Sequence, residues 1–373
     1  MVQIKDLIVL KNQKEIKHCQ FAYNSFFYNK GNVSNCCLQE PLMFKDDWSD
    51  VTQLDNFYYT KEFDDIRFDI ENGGQPSQCD TCWRSENNGN RSMRIDNMYY
   101  TDKPSSEVPI IRHVDLRLSN KCNLQCKMCN SNDSDQIAKI EGKVIAPTDT
   151  AGLLNLIYKL DTVESIRFAG GEPFIMPEVA EFLQRLVDDK KTYIKIEIIT
   201  NCTSVNTSMV TLLEKFDNVD IMASIDSVGK WFEFQRYPAR WNQIDRNFRK
   251  LYNSKFSIRI VPCIGNINLL GVDEFFSWAN QFPNALVTFN EIFEPSYLNF
   301  RYVPLNLRED MWGNLGAMKL VNTVQDWKNF KRRTMYDYIE PDSSVAQLIK
   351  DRNQLVWGAT ESQMKEFFPW IYI

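Results

Sequence analysis

Between about residues 110 and 290, short β-branched runs alternate with longer stretches of helical periodicity, and this alternation restricts the chain to an α/β fold built on a parallel sheet. Six runs read as strands: His113 to Ser119, Glu164 to Ala169, Ile194 to Thr200, Val219 to Ile225, Ser257 to Ile264 and Ala285 to Asn290. Helical patterns separate them over Thr150 to Leu160, Glu178 to Asp189, Ser208 to Phe216, Trp241 to Tyr252 and Val272 to Asn280. Six βα units predict a partial (β/α)6 TIM-like barrel, open on one side to a large substrate. Its chemistry belongs on the loops at the C-terminal ends of the strands.

The flanks read differently. Residues 1–105, with short runs, Gly, Asn and paired cysteines, predict a small metal-stapled module. The segment Tyr100 to Pro109, with Pro104, Ser105 and Ser106, reads as the linker to a barrel over 106–290. Residues 291–373 mix aromatic and charged positions, hold no cysteine and read as a C-terminal α/β cap.

A net charge of −6 argues against a broad nucleic-acid footprint. The strongest basic patch, Lys328, Lys331, Arg332 and Arg333, is interleaved with Trp327, Phe330 and Met335 at the spacing of an amphipathic helix. It reads as a solvated helix face. No apolar run reaches the length of a membrane span, and the stretch Met1 to Leu10 carries Lys5 and Asp6, so neither a membrane helix nor a signal peptide is expected. The chain is expected in the cytoplasm, where its 10 cysteines stay reduced and their clusters point to metal or redox chemistry.

Cys122, Cys126 and Cys129 follow directly on the first barrel strand, spaced Cys-x3-Cys-x2-Cys. Three thiolates at a strand's C-terminal end suit a [4Fe–4S] cluster, holding three irons and leaving the fourth open to a substrate or cofactor; a fourth cysteine would leave electron transfer alone. The alternative is a zinc site completed by a distant ligand such as His113, which begins the preceding strand and so falls at its far end.

This spacing after the first strand of a βα barrel resembles the radical S-adenosylmethionine (SAM) superfamily, and further matches extend the resemblance over residues 110–290. Gly170-Gly171-Glu172-Pro173 is similar to the motif whose backbone and Glu hold the methionyl amino group, as two flexible glycines and a carboxylate suit a bound ammonium. Thr200-Asn201-Cys202 ends strand three where the family usually has Thr-Asn-Gly, and Ser224-Ile225-Asp226 resembles the ribose-contacting segment. Arg236 resembles the basic partner of the methionyl carboxylate, against a plain surface arginine as the alternative. Met128 takes the place of an aromatic residue near the adenine, and Cys263 to Asn266 sits where backbone groups contact adenine. Cys202 reads as a small buried residue.

Earlier in the chain, Cys19, then Gly31-x4-Cys36 with Cys37 adjacent, then Cys79-x2-Cys82 resemble the auxiliary-cluster pattern of the SPASM and twitch group, here placed before the barrel. The resemblance implies one auxiliary [4Fe–4S] cluster on Cys19, Cys36, Cys79 and Cys82, with Cys37 as the competing ligand. A zinc ribbon, joined by His18, is the alternative. The family implies a radical enzyme that reduces its cluster, cleaves SAM and abstracts a substrate hydrogen. Its partners are SAM, an electron donor such as flavodoxin or ferredoxin, and a peptide, protein or small-molecule substrate. Two rival readings are radical chemistry on a nucleotide or nucleic acid, and a nonenzymatic zinc-binding module.

Overall fold

The computed structural model describes residues 17–43, 59–87, 92–95, 108–145, 150–316, 324–325, 334 and 338–372. Lys328, Lys331, Arg332 and Arg333, and most of the expected linker, lie outside the described residues. The chain divides into two compact units: residues 1–119, 146–170 and 181–196 form one, and 120–145, 171–180 and 197–373 the other.

In the first unit the strands are β1 (Ser25–Asn29), β2 (Asn32–Ser34), β3 (Leu42–Met43), β4 (His113–Arg117) and β5 (Ser165–Phe168). Their order is β5-β4-β1-β2-β3, parallel across β5, β4 and β1 and antiparallel through β2 and β3. The β1–β2 turn is Lys30-Gly31, both with positive φ (49° and 90°), a two-residue hairpin whose twist matches that of its strands. Gly31 thus works as its spacing from Cys36 suggests. β1 pairs with β4 from Ser25↔His113 to Asn29↔Arg117, an extra parallel strand that the sequence pattern conceals because Ser25 to Tyr28 are all buried and show no alternation.

In the second unit β6 (Lys195–Thr200, all but its first two residues), β7 (Val219–Ala223), β8 (Ser257–Ile260), β9 (Leu286–Thr288) and β10 (Val324–Gln325) lie in that order. The pairings from β7 to β10 are parallel. β6 alternates buried and half-buried positions, so one of its faces lies in the core. Five helices fall where the periodicity places them: Thr150–Lys159, Pro177–Asp188, Thr207–Leu213, Trp241–Tyr252 and Val272–Ala279. The molecule is mixed α/β with mostly parallel strands, and among the described residues no strand order closes into a barrel. No helix among them is long and apolar enough to cross a membrane.

The C-terminal segment also packs in the second unit. Helix Glu361–Phe367 lays Phe367 on Phe234 (4.0 Å, stacked) and edge-on to Trp231 (4.9 Å), both on helix Gly229–Gln235, which runs directly into Arg236. Lys230 Nζ reaches Glu366 at 2.7 Å.

Candidate active site and cysteine cavities

The loop after β4 carries the triad. Cys126 lies in a two-residue bridge, Gln125–Cys126, paired antiparallel with Arg236–Tyr237, and Lys127 N donates to Gln235 O at 2.9 Å. A tight turn, with Cys129 N donating to Cys126 O at 2.9 Å, returns Cys129 toward it, and Asp135 Oδ1 accepts from Cys122 N at 2.9 Å. Arg236 Nη1 stands 3.8 Å from Cys126 Sγ, and Asn201 Nδ2 stands 3.9 Å from Cys122 Sγ.

Burial raises all three thiols, Cys126 to about 12, while Arg236 opposes the shift at Cys122 and Cys126. Such thiols give up their protons readily only to a metal centre whose charge offsets the burial. Among the described residues no three His, Cys, Asp or Glu side chains stand as ligands of a single ion. A cubane distributes its thiolates over separate irons, and three thiols without a fourth ligand match that donor set. His113, the proposed distant zinc ligand, sits at the start of β4 with Nδ1 2.8 Å from Ser165 Oγ.

The glycine motif forms the next turn. Gly170 and Gly171 have φ of 71° and 54°, and a Cβ on Gly171 would lie 2.3 Å from Lys121 O. Pro173 opens a 3-10 turn capped by Glu172. Glu172 is wholly buried; its carboxylate accepts from Asn201 N (2.7 Å), Thr200 Oγ1 (2.8 Å) and Phe174 N (3.1 Å). In this structure it ties the end of β6 to the glycine turn. Burial pushes its carboxyl up to about 7 against the pull of those donors. Asn201 Oδ1 accepts from Thr203 N (2.9 Å), and its Nδ2 donates to Asn123 Oδ1 (3.1 Å), beside Cys122.

Ser224 N donates to Thr200 O at 2.8 Å. Asp226, buried, takes Arg236 through Nε and through Nη2 at 3.0 Å, and accepts from Cys263 N at 2.9 Å. Arg236 is therefore a buried, carboxylate-paired cation rather than a surface arginine. Met128 Sδ is 3.8 Å from Gln235 Nε2, which also reaches Cys263 O at 3.4 Å. Thus Cys122, Glu172, Thr200 and Asn201 share one set of contacts and Cys126, Cys129, Met128, Asp226 and Arg236 another, both reached from the same cysteine loop.

Some neighbours carry no motif. A cavity of about 520 Å³ beside Met128 and Cys129 is lined by Lys127, Tyr297, Arg352 and Trp357. Lys127 is buried with Nζ 4.4 Å from the Phe234 ring and 5.1 Å from Trp357, and burial lowers it to about 7. Its position within the cysteine triad was its sequence signal; Trp357 lies more than two hundred residues away in the chain and offered none.

In the first unit Cys19, Cys36, Cys79 and Cys82 line a single cavity with Phe21, Ile70 and Trp83. Cys37 is absent from that lining and faces the charges of Asp115, Arg117 and Arg167. His18 stacks on Tyr23, ring centroids 4.7 Å apart. Four thiols lining one cavity are a donor set that fits a fully ligated Fe–S cluster. All 10 cysteines of the chain are free.

Residues 116–278 match the family model described as Radical SAM superfamily. The chain is 25% identical over 190 residues to an uncharacterized protein of Methanocaldococcus jannaschii, covering 48% of this chain and 62% of that protein. It is 31% identical over 85 residues to a probable GTP 3',8-cyclase of the same organism, covering 21% of this chain and 26% of that protein. Less than two thirds of either relative is spanned. A solved structure of Streptococcus suis SuiB bound to S-adenosylmethionine aligns with a TM-score of 0.43 and 14% identity, covering 86% of this chain and 76% of that one. Residues 116–278, which contain Cys122, Cys126 and Cys129, are thus similar to the radical SAM superfamily.

Proposed function

We propose that the chain is a cytoplasmic radical SAM enzyme whose Cys122, Cys126 and Cys129 hold the SAM-binding [4Fe–4S] cluster, and whose substrate is a peptide or protein side chain. The observation that carries this reading is the bridge between Cys126 and Arg236, which joins the cysteine loop to the Asp226 segment inside the residues that match the family model. When bound, the cluster supplies the electron that splits SAM into methionine and a 5′-deoxyadenosyl radical, which takes a hydrogen atom from the substrate.

The chain's own groups prepare the site. Asp226 holds Arg236 buried, keeping a positive charge beside Cys126 and available to a methionyl carboxylate. Glu172 fixes Asn201, which in turn orients Asn123 and flanks Cys122. The glycine turn leaves its backbone free to meet an ammonium group. Lys127, Tyr297 and Trp357 wall a cavity large enough to admit a side chain.

Cys19, Cys36, Cys79 and Cys82 are read as ligands of an auxiliary cluster that accepts the electron left on the substrate, in an N-terminal twitch-like module over 1–105. The cavity that all four line supports this reading. A reducing compartment and a flavodoxin- or ferredoxin-type donor suit two such clusters and 10 free cysteines.

A second reading, a nucleotide substrate, is favoured by the 31% identity over 85 residues to the probable GTP 3',8-cyclase. The two are separated by measuring 5′-deoxyadenosine release from reduced protein with SAM and either GTP or a library of short peptides. Stimulation by peptides with hydrogen transfer into 5′-deoxyadenosine is expected. Stimulation by GTP alone would replace the peptide reading with the nucleotide one.

A further inference from the structure

The wall of the four-thiol cavity contains a buried cation whose carboxylate partner lies behind the lining. Arg94 lines that cavity and is only 2% exposed. Its Nη2 stands 2.5 Å from Glu86 Oε2, its Nε donates to Glu86 Oε1 at 3.0 Å, and its Nη1 donates to His18 O at 2.7 Å. The guanidinium covers the Trp83 ring, with Cζ 4.4 Å from the centroid. Ser92 Oγ donates to the same Glu86 carboxylate at 2.5 Å. Burial raises the Cys82 thiol, and the nearby Arg94 backbone amide and guanidinium oppose that rise.

Among the described residues that line the cavity, Arg94 is the one cation. Withdrawing both members of an ion pair from water is costly, and a hydrophobic pair of similar volume would often stabilise the fold as well. What a hydrophobic pair would not provide is a fixed positive charge in a low-dielectric wall, where its field on a neighbouring redox centre is screened little. Net charge close to a cluster is one of the protein's main means of setting its potential, and Arg94 supplies a positive one.

We propose that Arg94, oriented by Glu86, sets the reduction potential of the Fe–S cluster bound by Cys19, Cys36, Cys79 and Cys82. The inference rests on the reading that these four thiols hold such a cluster. Reduction adds one electron, and so one negative charge, to the cluster; the guanidinium favours that form and raises the potential, while Glu86 offsets part of the effect. A raised potential makes the cluster a better acceptor for an electron leaving a substrate radical.

The test is an anaerobic redox titration, followed by electron paramagnetic resonance with dithionite as reductant. It uses the full-length chain reconstituted with iron and sulfide, both natural and with Cys122, Cys126 and Cys129 changed to Ala so that only the second cluster reports. Arg94→Gln should shift the midpoint in the negative direction, changing the reduction equilibrium at least about tenfold. Glu86→Gln should shift it in the positive direction, and Arg94→Lys should stay near the natural value, all with unchanged iron. Unmoved midpoints, or shifts of one sign in both Gln variants, would reduce Arg94 to a structural role. If Arg94→Gln loses its iron, Glu86→Gln decides by its sign alone, and a zero or negative shift overturns the proposal. A triple-Ala background that binds no iron at all removes the underlying cluster reading, and the inference falls with it.

Discussion

Cys202 holds a left-handed backbone, φ 61°, at the position where the family resemblance calls for glycine. Its side chain is fully buried, and its carbonyl accepts from Asn247 Nδ2 at 2.8 Å, so the surroundings impose the conformation. A left-handed residue with a Cβ costs about 1–2 kcal/mol, and burying a small thiol returns a similar amount. Cys202→Gly should therefore lie within about 1 kcal/mol of the natural chain in urea denaturation, and a loss above about 3 kcal/mol would contradict this balance. Glu172 gives a pH signature. Its folded-state pKa of about 7 lies above the ordinary 4.5, so between these values the folded chain binds the extra proton and stability falls as pH rises. Glu172→Gln should flatten the stability profile over that window by an amount on the order of 3 kcal/mol, measured as the difference from the natural protein. The motif located Glu172 in the sequence, but its partners were not legible there: Thr200 is 28 residues away, and only the fold brings its hydroxyl to that carboxylate.

At the scale of elements, the six strands and five helices expected between residues 110 and 290 were legible because β-branched runs or helical periodicity mark each of them. β1 and helix Gly229–Gln235 were not. β1 is buried at four of five positions and so lacks alternation, and the helix is seven residues long with aromatic side chains facing several neighbours. That helix matters to the site because Arg236 follows it. Phe367→Ala should destabilise the folded chain by about 3–5 kcal/mol, since it removes a ring stacked 4.0 Å from Phe234 and leaves a cavity behind Lys127. Calorimetry of the purified variant is the check. The glycine turn is less forgiving still. A methyl on Gly171 would meet Lys121 O at 2.3 Å, and that oxygen is already held by Glu172 N at 2.9 Å. Gly171→Ala should weaken SAM binding more than about tenfold in equilibrium dialysis, whereas Gly142→Ala, whose Cβ meets nothing within 4 Å, should leave it unchanged.

For the whole molecule, cysteine spacing marked both candidate metal sites, whereas the difference between Cys36, which lines the cavity, and Cys37, which faces Asp115, was legible only in the fold. The reconstituted chain should bind about eight irons, and changing Cys122, Cys126 and Cys129 to Ala should remove about half. Cys79→Ala with Cys82→Ala should leave SAM cleavage measurable and abolish substrate turnover, with a proteolysis control because losing ligands can unfold a metal-stapled region. The most direct measurement is 5′-deoxyadenosine formation from SAM by the dithionite-reduced chain, natural against Cys126→Ala. The account predicts slow release of 5′-deoxyadenosine by the natural protein even without substrate and none by the variant; undiminished release by Cys126→Ala would contradict it.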